Sequence, residues 1–241
     1  MQKAKLEIPP GLACPFAGRE KESAQLEAFH TQNQSVLLLG PAGAGKTALV
    51  NHLKEKLALL VCPQSDCLGE ICDGLEGPLG LAAAGGKLLQ RKQRVREALA
   101  ASHRTVVFDG VGWTTPKVAS FIETVAQRVP VWICARSEHP WDIGHIWPLL
   151  ARFARVELRP FQAAETRTLV EAAVAAGQVP PAALEIVPWL HRRSAGIPRV
   201  LCELLRETAT GKYDLKEAHA LHRLDVDRKI HQLFGLEAGP S

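Results

Sequence analysis

Gly40-Pro41-Ala42-Gly43-Ala44-Gly45-Lys46-Thr47 satisfies the pattern G-x-x-x-x-G-K-[ST] at every required position. That spacing serves the gripping of a polyphosphate. The glycines let the backbone curl so that its N–H groups point inward at phosphate oxygens. The helix that Ala48 opens adds the positive end of its dipole. Lys46 is placed to reach β and γ phosphates, and Thr47 to offer its hydroxyl to Mg²⁺. A second candidate lies at Asp109, which directly follows the apolar run Thr105-Val106-Val107-Phe108. A carboxylate at a strand end holds Mg²⁺ through water in many phosphate-loop proteins.

These side chains need a scaffold, and the flanking sequence supplies one. Ser35–Leu39 is a short apolar run of the kind that forms a buried parallel strand. Ala48–Leu57 follows as a helix with Leu49, Leu53 and Leu57 on one face. Upstream, Lys21–His30 reads as a helix that buries Leu26 and Phe29. Downstream, strands are expected at Leu57–Cys62, Arg104–Gly110, Val129–Ala135 and Val156–Leu158. Helices alternate with them: one through Leu68, Ile71, Leu75 and Leu79, one over Lys87–Ala101, one over Pro116–Arg128, and a partly helical stretch at Trp141–Ala154. Leu88, Val95 and Leu99 are the inward stripe expected of the second. From Ala163 the pattern is helical only, with one segment opened by Ala164–Glu171 and others from Pro181 to Arg193, from Pro198 to Thr210 and from Asp214 to Phe234. In the last, Leu215, Ala218, Leu221, Leu224 and Ile230 are the expected core. The fold class is therefore α/β: a three-layer core around a parallel sheet of five strands, then a small α-helical lid. The boundaries are an extended lead-in at 1–15, a core at 16–160, a lid at 161–236 and a loose tail at 237–241.

Composition sets the outer limits. With 46% hydrophobic and 22% charged residues in 241, the chain is ordinary globular protein, neither fibrous nor disordered. A net charge of +4 permits an anionic partner without demanding one. No apolar run reaches the ~18 residues of a membrane span, and Met1–Glu7 lacks the apolar core of a signal peptide. The expected location is cytoplasmic with no membrane partner, and the six cysteines read as thiols. Cys62, Cys67 and Cys72 recur every five residues, unlike the close pairs of zinc sites. Cys72 fits the apolar face of its helix. The helix over Lys87–Ala101 carries Lys87, Arg91, Lys92, Arg94 and Arg96, either a solvated face or one that meets nucleic-acid phosphates.

Phe16-Ala17-Gly18-Arg19-Glu20, just upstream of the phosphate loop, resembles the N-terminal box of AAA+ ATPases of the origin-recognition type and of the related STAND ATPases. The resemblance extends over Phe16 to Arg206. It implies ATP as the nucleotide, with Mg²⁺, and Phe16 beside the adenine base. It implies a γ-phosphate sensor at Arg136 or Ser137, at the end of the fourth strand. It implies a finger that reaches a neighbouring subunit's nucleotide at Arg152, with Arg155 the second choice, or else a plain surface salt bridge there. Ala195-Gly196-Ile197-Pro198-Arg199 resembles the second-sensor element of the lid and makes Arg199 its sensor. In this superfamily the Asp109 strand is expected directly beside the phosphate-loop strand.

The chain departs from the AAA+ pattern in one place. Many AAA+ proteins carry a glutamate right after the strand-end aspartate, and here that residue is Gly110. Asp-Gly is closer to STAND ATPases, yet residues 111–115 hold no carboxylate either. Hydrolysis is then slow, absent or served by another residue. Two roles follow from the resemblance: a DNA-associated switch or assembly factor that forms homo-oligomers, or a STAND-like regulatory switch with protein partners. A metabolic kinase is a third class, but nothing in the sequence hints at its acceptor.

Overall fold

The computed structural model describes residues 14–81 and 86–233. The bulk of the expected lead-in, the tail 237–241, Phe234 and Gly85 lie outside the described residues. The chain divides into two units, one of residues 19–159 and one that joins the segment before residue 19 to residues from 160 onward.

In the first unit the strands are β1 (Val36–Leu39), β2 (Leu60–Cys62), β3 (Val106–Val111), β4 (Val131–Ala135) and β5 (Ala154–Glu157). The helices are α1 (Glu20–Thr31), α2 (Lys46–Lys54), α3 (Leu68–Glu76), α4 (Leu88–Ser102) and α5 (Pro116–Ala126), then two single turns, α6 (Pro140–Ile143) and α7 (Trp147–Leu150). The strands form one sheet in the order β2-β3-β4-β1-β5, with every pair parallel. All five β4 residues are buried, so both sheet faces are covered, as an all-parallel sheet requires. One face packs Leu37, Phe108 and Ile133 against Ile71, Val95, Phe121 and Ile122. Trp132 points the other way, edge-on to the His30 ring.

Two expectations fail here. The Asp109 strand is not beside the phosphate-loop strand, because β4 lies between β3 and β1. Strand order depends on which crossover packs where, and hydrophobic pattern carries no record of that. Leu88 is 46% exposed and does not join the buried stripe of Val95 and Leu99. It is the first residue of α4, before the helix reaches the core.

The second unit holds α8 (Ala163–Ala175), a 3-10 turn (Pro181–Leu184), α9 (Val187–Ser194), α10 (Pro198–Ala209) and α11 (Ala218–Leu233). Leu169, Val170, Leu190, Leu201, Leu204, Leu205 and Leu224 make its core. Ala218 and Ile230 are exposed, against expectation. Asp225 and Arg228 occupy the buried face of α11 instead. Arg193 and Lys229 reach the Asp225 carboxylate, and Arg228 bridges it to Glu203. A buried charge is tolerated only when paired in this way. Nor are all six cysteines thiols. Cys14 and Cys202 are joined as a disulfide, their Cα atoms 5.9 Å apart, which pins residue 14 to α10. Pairing across 188 positions leaves no local trace in sequence.

Candidate nucleotide site

The phosphate loop leaves β1 at its C-terminal end and turns into α2. Gly43 (φ 79°) and Gly45 (φ 93°) take left-handed backbone that L side chains seldom adopt. Gly45 is the N-cap of α2 and offers no side chain to the helix's first N–H groups. Groups of this kind can receive an anion. Gly40 is needed for a different reason, since a Cβ there would meet the Leu158 carbonyl oxygen at 2.7 Å.

Lys46 Nζ donates to the carbonyls of Gly40 (2.5 Å) and Pro41 (3.1 Å), folded back on its own loop. Burial lowers its pKa, opposed by the nearby Cys134 and Asp109, while the Arg136 charge pushes the same way as burial. Thr47 Oγ1 donates to Asp109 Oδ2 at 2.6 Å. Thus the two residues expected at the metal are brought together across β4. Asp109 also accepts from the Gly110 N–H through Oδ1 (2.8 Å), and the Ser65 hydroxyl donates to its carbonyl (3.3 Å). Both groups expected at the metal present hard oxygen, which would suit Mg²⁺. Among the described residues no three His, Cys, Asp or Glu side chains cluster as a metal cage. The remaining ligands of such an ion would be phosphate oxygens and water, the habit of Mg²⁺.

Ala135 pairs with Leu39, so Arg136 and Gly40 leave neighbouring strands side by side. That is why the Arg136 charge is felt at Lys46. The Ser137 hydroxyl accepts from the His139 N–H at 3.0 Å and shapes the turn after β4. Gly110 has φ 66° and sits where the β3–β4 register shifts between Phe108 and Val111. This is a bulge built for glycine, and a glutamate here would be strained.

Arg152 stands elsewhere. The Ala154 N–H donates to the Ser35 carbonyl at 2.9 Å, which places Arg152 by the N-terminal ends of β1 and β5. A four-residue strand rises about 13 Å, so Arg152 and the phosphate loop lie at opposite ends of the sheet. An open cleft of about 470 Å³ runs past Arg152, Gln34, Ser35 and Glu123. Arg155 pairs with Glu138 at 2.8 Å. Arg91 pairs with Asp73 and Glu76, so part of the basic charge of α4 is directed at α3.

Phe16 and Arg199 belong to the second unit. Arg199 is in the first turn of α10, with its Nε 3.2 Å from Glu203. The turn before it is tight: Ala195 and Gly196 are both left-handed, and the Phe161 N–H donates to the Gly196 carbonyl at 2.6 Å.

Sequence reasoning missed three contributors. Ser65 and Cys134 frame Asp109, and burial pushes the Cys134 thiol well above its ordinary range. Thr114 ties the loop after β3 to the loop after β4. The one signal available was position, since each falls at or just past a strand's C-terminal end.

No family model and no curated protein sequence matches the chain. Solved structures do match it. The Orc1 protein of Aeropyrum pernix, solved in complex with DNA, superposes with a TM-score of 0.65 at 16% identity, over 97% of this chain and 70% of that one. Domain III of the replication initiation protein DnaA from Thermotoga maritima gives 0.59 at 16% identity, over 87% and 93%. A STAND protein with a tetratricopeptide repeat sensor from Pyrococcus horikoshii gives 0.53 at 16% identity, over 92% of this chain and 34% of its own. At such identities the likeness is one of fold alone, and it is shared with Orc1, with DnaA domain III and with a STAND protein.

Proposed function

We propose that the chain binds ATP with Mg²⁺ and uses γ-phosphate occupancy as a switch for assembly, in association with DNA. The observation that carries this reading is the 2.6 Å bond between Thr47 and Asp109, beside Lys46, at the mouth of a glycine loop that opens α2. Gly40–Ala48 cradle the phosphates. Thr47 and Asp109 would hold the ion, which would neutralise phosphate charge. Arg136 or Ser137 answers to the γ-phosphate from β4, and Arg199 from the lid, with Phe16 assigned to the adenine. Arg152 serves a neighbouring copy. A γ-phosphate can switch the molecule only by favouring one state over another, and paired sensors on core and lid would supply that preference. Association with DNA draws on the Orc1 likeness and on the basic residues of α4.

Gly110 favours a second reading, a STAND-like regulatory switch with protein partners and weak or no hydrolysis. Titration calorimetry with Mg-ATP and Mg-ADP tests the common core. Lys46→Ala should weaken Mg-ATP at least about tenfold, since it removes charge-assisted hydrogen bonds to phosphate. Absence of heat from the unmutated chain would sink both readings. DNA binding measured across a salt series with ATP, ADP and no nucleotide separates them. The DNA-associated switch requires a steep salt slope and a nucleotide dependence.

A further inference from the structure

Arg19, the first residue of the α/β unit, is a cation only 3% exposed. It is the N-cap residue of α1, and its side chain turns inward. Nη1 pairs with Glu22 at 2.9 Å, one turn along the helix. Nη2 donates to two carbonyls: Ala44 in the phosphate loop (3.2 Å) and Arg159 just past β5 (2.6 Å). One nitrogen thus joins a nucleotide-gripping loop to the segment by which the chain leaves the sheet. A second contact runs in parallel. The Leu158 N–H donates to the Leu39 carbonyl at 2.7 Å, and Gly40 is pressed on Leu158 too closely for any Cβ. At Pro160, one residue beyond Arg159, the chain enters the helical unit.

We infer that Arg19 is a positioning residue that locks the phosphate loop to the exit of β5, so that a shift in either is imposed on the other. The guanidinium suits this task. Its planar fork aims N–H groups in fixed directions, and Glu22 holds the fork in register. A buried arginine that served stability alone could be anchored by any fixed carbonyls. Here the two carbonyls that Nη2 meets lie on the segment that binds phosphate and on the one that leads to the lid. The inference rests on the ATP-binding reading for its purpose, though not for the linkage itself. If it holds, loop occupancy is reported to the helical unit through the backbone at Leu158 and Arg159, besides any side chain that touches the γ-phosphate.

Hydrogen exchange on the full chain tests it at two protected amides, Ala44 (bonded to the Pro41 carbonyl) and Leu158 (bonded to the Leu39 carbonyl). Without nucleotide, Arg19→Gln should speed exchange at both amides by about tenfold or more, the scale of losing charged hydrogen bonds. Amides of β3 and β4 should stay as slow as before. With Mg-ATP the unmutated chain should slow exchange at both sites, and Arg19→Gln should keep the effect at Ala44 while losing it at Leu158. Arg19→Lys, gentler on folding, should loosen both sites by less, and it decides the matter if Arg19→Gln does not fold. The inference is overturned if Leu158 exchanges as in the unmutated chain, or if exchange rises equally across the sheet. If Mg-ATP alters no amide of the unmutated loop, ATP binding fails as a reading, and the nucleotide-free arm still judges the linkage.

Discussion

A single oxygen-to-oxygen contact, Thr47 to Asp109, carries the chemical reading of this molecule. It matters because the two residues are 62 positions apart, Thr47 in α2 directly after the loop that leaves β1 and Asp109 on β3, a strand that does not touch β1. Asp109 is held from several sides, by Thr47, by the Gly110 N–H and by Ser65 at its carbonyl. Asp109→Asn should therefore leave the fold intact, because an amide oxygen can still accept from Thr47. It should weaken the Mg²⁺ dependence of ATP binding by about 10- to 100-fold, the usual cost of losing a partner in the outer shell of a metal. Calorimetry with and without EDTA would read this. Equal affinities in Mg²⁺ for the unmutated chain and the Asp109→Asn variant would remove Asp109 from the site.

At the scale of elements, the site depends on loops that leave adjacent strands and are tied to each other. Thr114 does the tying. Its N–H and hydroxyl both donate to the Ile143 carbonyl (3.0 and 2.7 Å), and its carbonyl accepts from the His145 N–H at 3.2 Å. Gly144 completes the clamp in left-handed backbone, where a Cβ would meet Thr114 O at 2.6 Å and Thr114 N at 2.8 Å. Gly110 is also left-handed, but its Cβ would meet nothing within 4 Å. The two glycines should respond differently to alanine. Gly110→Ala should cost about 1 kcal/mol, the conformational penalty alone. Gly144→Ala adds a clash with backbone that cannot yield, and should cost about 3 kcal/mol or more. Urea unfolding of both variants would compare them, and equal losses would show that the clamp is not rigid.

For the whole molecule, the question is where the Arg152 charge can act. It lies at the N-terminal ends of β1 and β5, while its own phosphate loop opens at the other end of the sheet. A role in the chain's own site is geometrically closed, which leaves a neighbouring copy or a structural salt bridge. Arg152→Ala should leave Mg-ATP affinity unchanged in calorimetry. It should lower any ATPase activity that rises with protein concentration, by at least about tenfold if the arginine acts as a finger. Activity that does not depend on concentration in the unmutated chain would dismiss the trans role. Among the described residues no helix is long and apolar enough to cross a membrane.

Local grammar was readable in the residues alone. Gly40–Thr47 match the phosphate-loop pattern, which is legible because it is written in contiguous residues, each chosen for backbone freedom or for charge. Short apolar runs ending near Leu39, Asp109 and Ala135 marked strand ends, because a strand buried on both faces must be apolar along its length. The remaining features came from packing between segments far apart in the chain. It placed β4 between the phosphate-loop strand and the Asp109 strand, put Arg152 at the opposite end of the sheet from the phosphate loop, joined Cys14 to Cys202, and buried Arg19 against Ala44 and Arg159. The reason is common to all four. Periodicity reports which face of an element is buried, whereas partners across the fold are chosen by packing between segments far apart in the chain, and that choice leaves no periodic mark.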